Sequence, residues 1–303
     1  MENSLWCEPR ANGILQENWK WGDWNIRYQY CGNSGPPIIC VHGFGANCDH
    51  WRNNLPALSQ NGRAYAIDLL GYGYSDKPDP RKVAARSLYS FENWAKQLLA
   101  FIDQVVGEPA FIICNSVGGL AGLQAAVDDP SKVRGVQVMN ISLRLLHVRN
   151  QPEWKKPFVR GFQSLLRDTP LGELFFNQLA NSKAVTKVLK QCYGENKDAV
   201  SEELVKYLVD PGLQPGAARV FLDFISYSDG PLPQELLDAV KVPVSILWGE
   251  EDPWEPVNEG RKFGDAASVE EFISFPGVGH CPQDEAPQLV NPKIQAFVQR
   301  HSS

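Results

Sequence analysis

No apolar run in this 303-residue chain approaches the ~20 residues that a membrane-crossing helix needs. No lysine- or arginine-rich tract offers phosphate neutralisation, and the net charge of −6 argues against nucleic acid as a partner. The seven cysteines form no C-x-x-C pair and show no Cys/His spacing suited to a metal; an odd, unpatterned count fits a reducing compartment. The start, Met1-Glu2-Asn3-Ser4-Leu5-Trp6, lacks a positive region followed by an apolar core, so no secretory signal is read there, and it is not rich in Arg and Ser as a transit peptide would be. Low-complexity tracts and internal repeats are also missing. An intracellular, soluble protein is the expectation.

What is present is apolar and alternating. Hydrophobic residues make up 43% of the chain, enough for a sizeable core in one large α/β domain or two small ones. Strand-like runs at Asn25–Cys31, Pro37–Val41, Arg63–Asp68, Ala110–Asn115, Gly135–Asn140, Val242–Trp248 and Glu270–Phe275 predict a mostly parallel sheet. Helix-like segments lie between them, notably Phe91–Val105 and Gly118–Val127, with Pro292–His301 closing the chain. The aromatic stretch Trp19 to Trp24 reads as an antiparallel opening hairpin rather than a ligand site. From Ile141 to about Pro231 the alternation stops, and short helices are expected around Pro157–Leu166, Leu171–Leu179, Ala184–Cys192, Glu202–Val209 and Gly216–Tyr227.

Chemistry concentrates at strand ends. Ser116 follows the apolar run Phe111-Ile112-Ile113-Cys114-Asn115 and precedes Val117-Gly118-Gly119-Leu120-Ala121, the strand–turn–helix setting that exposes a nucleophilic hydroxyl. The first glycine of G-x-S-x-G is here Cys114. Alone, such a serine is more often a helix N-cap. Three further motifs change that reading. Val41-His42-Gly43-Phe44-Gly45 follows a buried strand and supplies a glycine loop whose Phe44 N–H, with that of Val117, can receive an oxyanion. Leu247-Trp248-Gly249-Glu250-Glu251-Asp252-Pro253 ends another strand in an acidic turn, where Asp252 suits an inward carboxylate better than Glu250 or Glu251. Pro276-Gly277-Val278-Gly279-His280-Cys281 follows the last strand, and only five histidines exist in the chain. The resulting order is Ser116, Asp252, His280.

With those motifs the chain resembles the α/β-hydrolase superfamily over nearly its full length. Asp68-Leu69-Leu70-Gly71-Tyr72-Gly73-Tyr74-Ser75 looks like a further family segment and is read as scaffold. Trp51-Arg52-Asn53-Asn54-Leu55-Pro56, the stretch Asp68 to Pro78, and Gly279 to Pro287 are similar to plant and cyanobacterial hydrolases related to pheophytinase and chlorophyll dephytylase. The resemblance implies an α/β-hydrolase fold: a mostly parallel sheet of about eight strands, helices on both faces, and a helical cap inserted after the sixth strand. The core would be 1–140 and 232–303, and the cap 141–231. It implies a serine esterase using Ser116, Asp252 and His280 through an acyl-enzyme, with no metal or organic cofactor. The substrate would be a small lipophilic ester, in the narrowest form a phytyl ester of the chlorophyll or pheophytin type. Phe158, Phe162, Phe175 and Phe176 are candidates to line its pocket. A chloroplast setting follows if the plant-type likeness reflects origin and a transit peptide was removed; otherwise the cytoplasm is expected. A C–C bond hydrolase of the meta-cleavage type stays open, although Cys281 stands where those enzymes commonly carry Trp. So does a hydrolase-fold receptor for a lipophilic ligand. Nothing in the sequence sets the oligomeric state.

Overall fold

The structure, a computed structural model, describes residues 12–82, 88–145, 147–150, 152–227 and 229–302. The N-terminal stretch Met1 to Trp6, read above for targeting signals, lies outside the described residues.

Strands β1 (Leu15–Trp21) and β2 (Trp24–Cys31) form an antiparallel hairpin that turns at Gly22 and Asp23 and pairs Trp21 with Trp24. The aromatic stretch Trp19 to Trp24 is therefore the end of β1, the turn and the start of β2, as a packing hairpin requires. Strands β3 (Pro37–Val41), β4 (Arg63–Ile67), β5 (Ala110–Asn115), β6 (Val133–Met139), β7 (Val244–Gly249) and β8 (Val269–Phe275) run parallel to one another in one eight-stranded sheet ordered β1-β2-β4-β3-β5-β6-β7-β8. Every residue of β3, β5 and β7 is buried. Such continuous burial is what a parallel strand covered on both faces has.

The helices follow in chain order: α1 (Leu55–Leu58), α2 (Phe91–Phe101), α3 (Val117–Asp128), α4 (Lys156–Asp168), α5 (Pro170–Leu179), α6 (Ser182–Cys192), α7 (Glu202–Gly212), α8 (Ala217–Ile225), α9 (Pro233–Ala239), α10 (Val257–Gly260), α11 (Pro282–Glu285) and α12 (Pro287–Arg300). One core packs α2, α3 and α9 on the sheet through Trp94, Phe101, Leu120, Leu123 and Leu236. The other packs α1 and α12 through Leu55, Trp51, Ile294 and Phe297. The closing helix starts at Pro287, earlier than the composition suggested, and carries Pro292 inside it. Pro287 occupies the first turn, where a missing N–H costs nothing. No helix among the described residues is long and apolar enough to cross a membrane.

Two features of this architecture position the site. The chain builds β3 and β4 on one side and then crosses to build β5 on the other, so the crevice between the carboxyl ends of β3 and β5 is a topological switch point. The helices α4 to α8 all fall between β6 and α9, outside the βα alternation.

Candidate active site

Ser116 stands between β5 and α3 with φ 54° and ψ −123°. That is a costly backbone for a residue with a side chain, and such strain persists only where the surroundings enforce it. Its N–H donates to the Met139 carbonyl at 2.9 Å, which pins the turn to β6. The hydroxyl makes no capping bond to the helix, so the N-cap reading does not describe this serine. Close packing explains the small residues around it. A Cβ on Gly118 would lie 2.5 Å from the His42 carbonyl oxygen, and one on Gly43 would lie 3.1 Å from Ser116 Cβ. The thiol of Cys114, which replaces the usual glycine, is accommodated across the interface: a Cβ on Gly122 would lie 2.5 Å from Cys114 Sγ. The motif has moved its space requirement from the strand to the helix.

The glycine loop after β3 is thus in contact with the serine turn. His42 fixes that loop. Its Nε2 accepts from the Leu69 N–H at 3.1 Å, so the proton resides on Nδ1, 2.8 Å from the Gly43 carbonyl. Burial lowers the pKa of this ring and keeps it neutral. Phe44 follows Gly43, and its ring stacks on Phe224 of α8 at 5.2 Å and meets Phe221 at 5.3 Å. Val117, the other expected donor, is the first residue of α3, where an N–H has no partner within its own helix.

Asp252 and His280 are brought together: His280 Nδ1 lies 2.6 Å from Asp252 Oδ2, with both side chains buried. The carboxylate is held at both oxygens. Oδ2 also accepts from Asn140 Nδ2 at 2.7 Å, and Oδ1 accepts from the N–H groups of Trp254 and Glu255 at 2.8 and 3.1 Å. Glu250, in contrast, pairs with Arg261 at 2.9 Å, and Glu251 is exposed. The edge of the Trp254 ring meets the imidazole at 5.0 Å.

Ser116 is tied to the same place through its neighbour, because Asn115 Nδ2 donates to the His280 carbonyl at 3.0 Å. The His280 N–H donates to the Cys192 carbonyl at 2.8 Å. Glu285 completes the clamp, accepting from Gly279 N–H at 2.7 Å and from Gly194 N–H at 2.8 Å. The histidine loop is therefore fastened to the segment between α6 and α7.

Several of these polar residues escaped sequence reasoning. Asn115 ends β5 and Asn140 follows β6, neither with a predicted role, and Glu285 lies in the Gly279 to Pro287 stretch, where only His280 carries one. Glu255 is the least expected. Its carboxylate is buried beside the Asp252–His280 pair, accepts from the Leu143 N–H at 3.0 Å and hydrogen-bonds Ser142; burial pushes its pKa up to about 7. A buried acid three residues after Asp252 was the available signal.

The four phenylalanines expected in the pocket divide. The Phe176 ring lies 5.2 Å from Phe221 and that of Phe175 lies 6.4 Å from it, which joins both to the aromatic cluster around Phe44. Phe158 and Phe162 instead point outward, 74% and 61% exposed. The helical period is the reason: α4 turns Gln163 inward, where its side chain donates to the Ile225 carbonyl at 3.1 Å, and so turns Phe158 and Phe162 away. Two small cavities flank the cluster. One of about 90 Å³ is lined by Val117, Ser142, Arg144, Gln163 and Phe224; the other, about 70 Å³, by Phe44, Tyr72, Phe176 and Phe221. A hollow of about 460 Å³ beside Asp79, Arg81 and Arg219 touches none of Ser116, Asp252 and His280.

A model of a family described as the alpha/beta hydrolase family matches residues 38–293. The chloroplastic pheophytinase of Arabidopsis thaliana is 26% identical over 90% of this chain, and the match spans only 63% of the pheophytinase. The uncharacterized hydrolase YugF of Bacillus subtilis is 24% identical, over 90% of this chain and 94% of its own length. Among solved structures, a serine hydrolase involved in carbazole degradation superposes with a TM-score of 0.75 at 20% identity, over 95% of this chain and 99% of that one, a likeness of fold.

Proposed function

The chain belongs to the alpha/beta hydrolase family, and from that premise we propose that it is a serine hydrolase that cleaves a carboxylic ester of a lipophilic substrate. The observation that carries this reading is Ser116 at a strained strand–helix turn, whose neighbour Asn115 donates to the carbonyl of the same His280 that is hydrogen-bonded to Asp252. Asp252 keeps the His280 proton on Nδ1, so Nε2 is left to take the serine proton as Oγ bonds to the ester carbonyl carbon. The carbonyl electrons move onto oxygen, which the N–H groups of Phe44 and Val117 receive. Collapse of that oxyanion breaks the bond to the alcohol, which leaves with the proton from His280. Water then repeats the sequence on the acyl-enzyme, with His280 again the base, and restores Ser116. Every step is balanced by these residues and water alone.

Residues 141–231 act as the cap in this reading, and the apolar cluster in which its Phe176, Phe221 and Phe224 gather around Phe44 favours a lipophilic group. The similarity to a pheophytinase points to a phytyl ester as the narrowest substrate. Cavities of about 90 and 70 Å³ are far smaller than the ~300–1,000 Å³ of ordinary ligand sites, so a long alcohol requires the Phe44–Phe224 stack to part. The test is release of phytol from pheophytin and chlorophyll, run beside a series of straight-chain esters. With about 0.8 kcal/mol per buried CH₂, kcat/KM should rise through several carbons. Preference for acetyl or butyryl esters over longer ones would remove the phytyl reading. Negligible turnover of every ester, with a ligand-induced rise in Tm, would favour a receptor instead.

A further inference from the structure

The outer face of α4 lies apart from the chemistry. Phe158, Phe162 and Leu165 recur at the i, i+4, i+7 spacing of one helical stripe and are 74%, 61% and 47% exposed. Trp154, one turn before Phe158, is 68% exposed and extends the stripe. The next helix adds Leu171 and Leu174, both exposed. The inward side of α4 is already engaged, since Gln163 bonds the Ile225 carbonyl and accepts at its own carbonyl from Ser226 Oγ. Turning the helix to hide its phenylalanines would break those bonds. The apolar stripe is thus a fixed outward feature.

The sequence along it is predominantly basic. From Trp154 to Arg167 the sequence contains Lys155, Lys156, Arg160 and Arg167 and no acidic residue, in a chain of net charge −6. Glu153 and Asp168 bound the segment, and Glu153 pairs with Lys156; the cations still outnumber the acids. The Lys155 ammonium lies 5.1 Å from the centre of the Trp154 ring, so aromatic and cation occupy the same edge. A helix with Phe and Leu on one face, a Trp in the turn before it and basic residues in its sequence is suited to lie in a lipid–water interface. A two-fold contact with a second copy would set this basic segment against itself, an arrangement that like charges oppose.

We propose that the Trp154–Leu165 face, continued by α5, docks the protein on a lipid surface bearing anionic headgroups, with the aromatic rings among the upper acyl chains and the cations at the headgroups. Docking of this kind sets the cap against the membrane and goes beyond the ester reading, since it needs neither Ser116 nor His280.

The experiment is co-sedimentation of the intact chain with vesicles of phosphatidylcholine, alone or with one part in three phosphatidylglycerol. Binding to the anionic vesicles is expected to exceed binding to the neutral ones at least tenfold and to fall in high salt. The double variant F158S/F162S should lose at least tenfold of that binding while keeping the wild-type Tm, because both positions are exposed. K155E should weaken binding to anionic vesicles and leave the neutral baseline unchanged. Ser116→Ala should bind as wild type, which separates this test from that of the ester reading. Equal recovery with both vesicle types, no loss in F158S/F162S, or a wild-type dimer in light scattering that the double variant turns into monomer would each overturn the proposal.

Discussion

The helical insert has two halves that differ in how they are fastened. Around α6 and α7, Cys192 accepts from the His280 N–H, Gly194 donates to Glu285, and Tyr193 donates to Asp284, which also pairs with Arg52. Cys281, next to His280, packs in the same small apolar core as Leu189, Tyr193 and Leu204. This half fastens the loop that carries His280 from outside the sheet. In α4 and α5 the bonds run to α8 and its end, not to the histidine loop, and Phe158, Phe162, Leu165, Leu171 and Leu174 face outward. A single insertion thus serves two purposes: one half holds the histidine loop, and the other presents a surface. Position within an insert, more than hydrophobicity, decides which.

Substitutions can sharpen that contrast, and the largest effect is expected at the strand ends themselves. Asp252→Asn should lower kcat by about 10⁴, because the amide no longer fixes the imidazole tautomer. Glu251→Gln should leave steady-state rates unchanged, since that side chain is exposed. Equal losses in the two would move the acid within the cluster.

Glu285→Gln addresses the fastened half. One of the two N–H groups that Glu285 accepts would then face an amide donor, a loss of about 1–3 kcal/mol. A lower Tm together with a fall in kcat of about tenfold is expected from thermal melts and ester kinetics. A lower Tm with unchanged kcat would mean that the clamp is structural and does not set the histidine.

Glu255 gives a pH signature. Its carboxyl titrates near 7 in the fold instead of its ordinary 4.5, because burial disfavours the charge. Between those values the folded protein keeps a proton that the unfolded chain has released, so stability falls as pH rises through that window. Glu255→Gln should flatten that decline in Tm measured from pH 5 to 7. An unchanged slope would show that Glu255 is ionised throughout.

The smallest effect belongs to the outward half. Leu174→Ser on α5 should change stability by no more than about 0.5 kcal/mol in denaturant titrations, as at other exposed sites. A loss of several kcal/mol would mean that this face is covered by something in solution.

The parts legible in the sequence were those where chemistry or sheet geometry restricts residue type. Ser116 and Asp252 follow buried, largely apolar strands that are hard to mistake, the strand before His280 is more mixed, and seven of the eight strands were visible as runs, the other as half of the aromatic hairpin. Phe158 and Phe162 were misplaced because an apolar residue on an insert faces inward only if its neighbours leave that side free, and Gln163 holds the inward position of α4. Asn115, Asn140 and Glu285 act through backbone groups of distant segments, 165, 109 and 91 residues away, and no local pattern encodes such partners.

The most direct test of the serine reading is treatment of the intact chain with a fluorophosphonate, followed by mass mapping of the adduct. A single adduct on Ser116 is expected, absent in Ser116→Ala and slowed more than about hundredfold in His280→Ala, which lacks the base. Labelling at another residue, or labelling of Ser116 at an equal rate without His280, would contradict it.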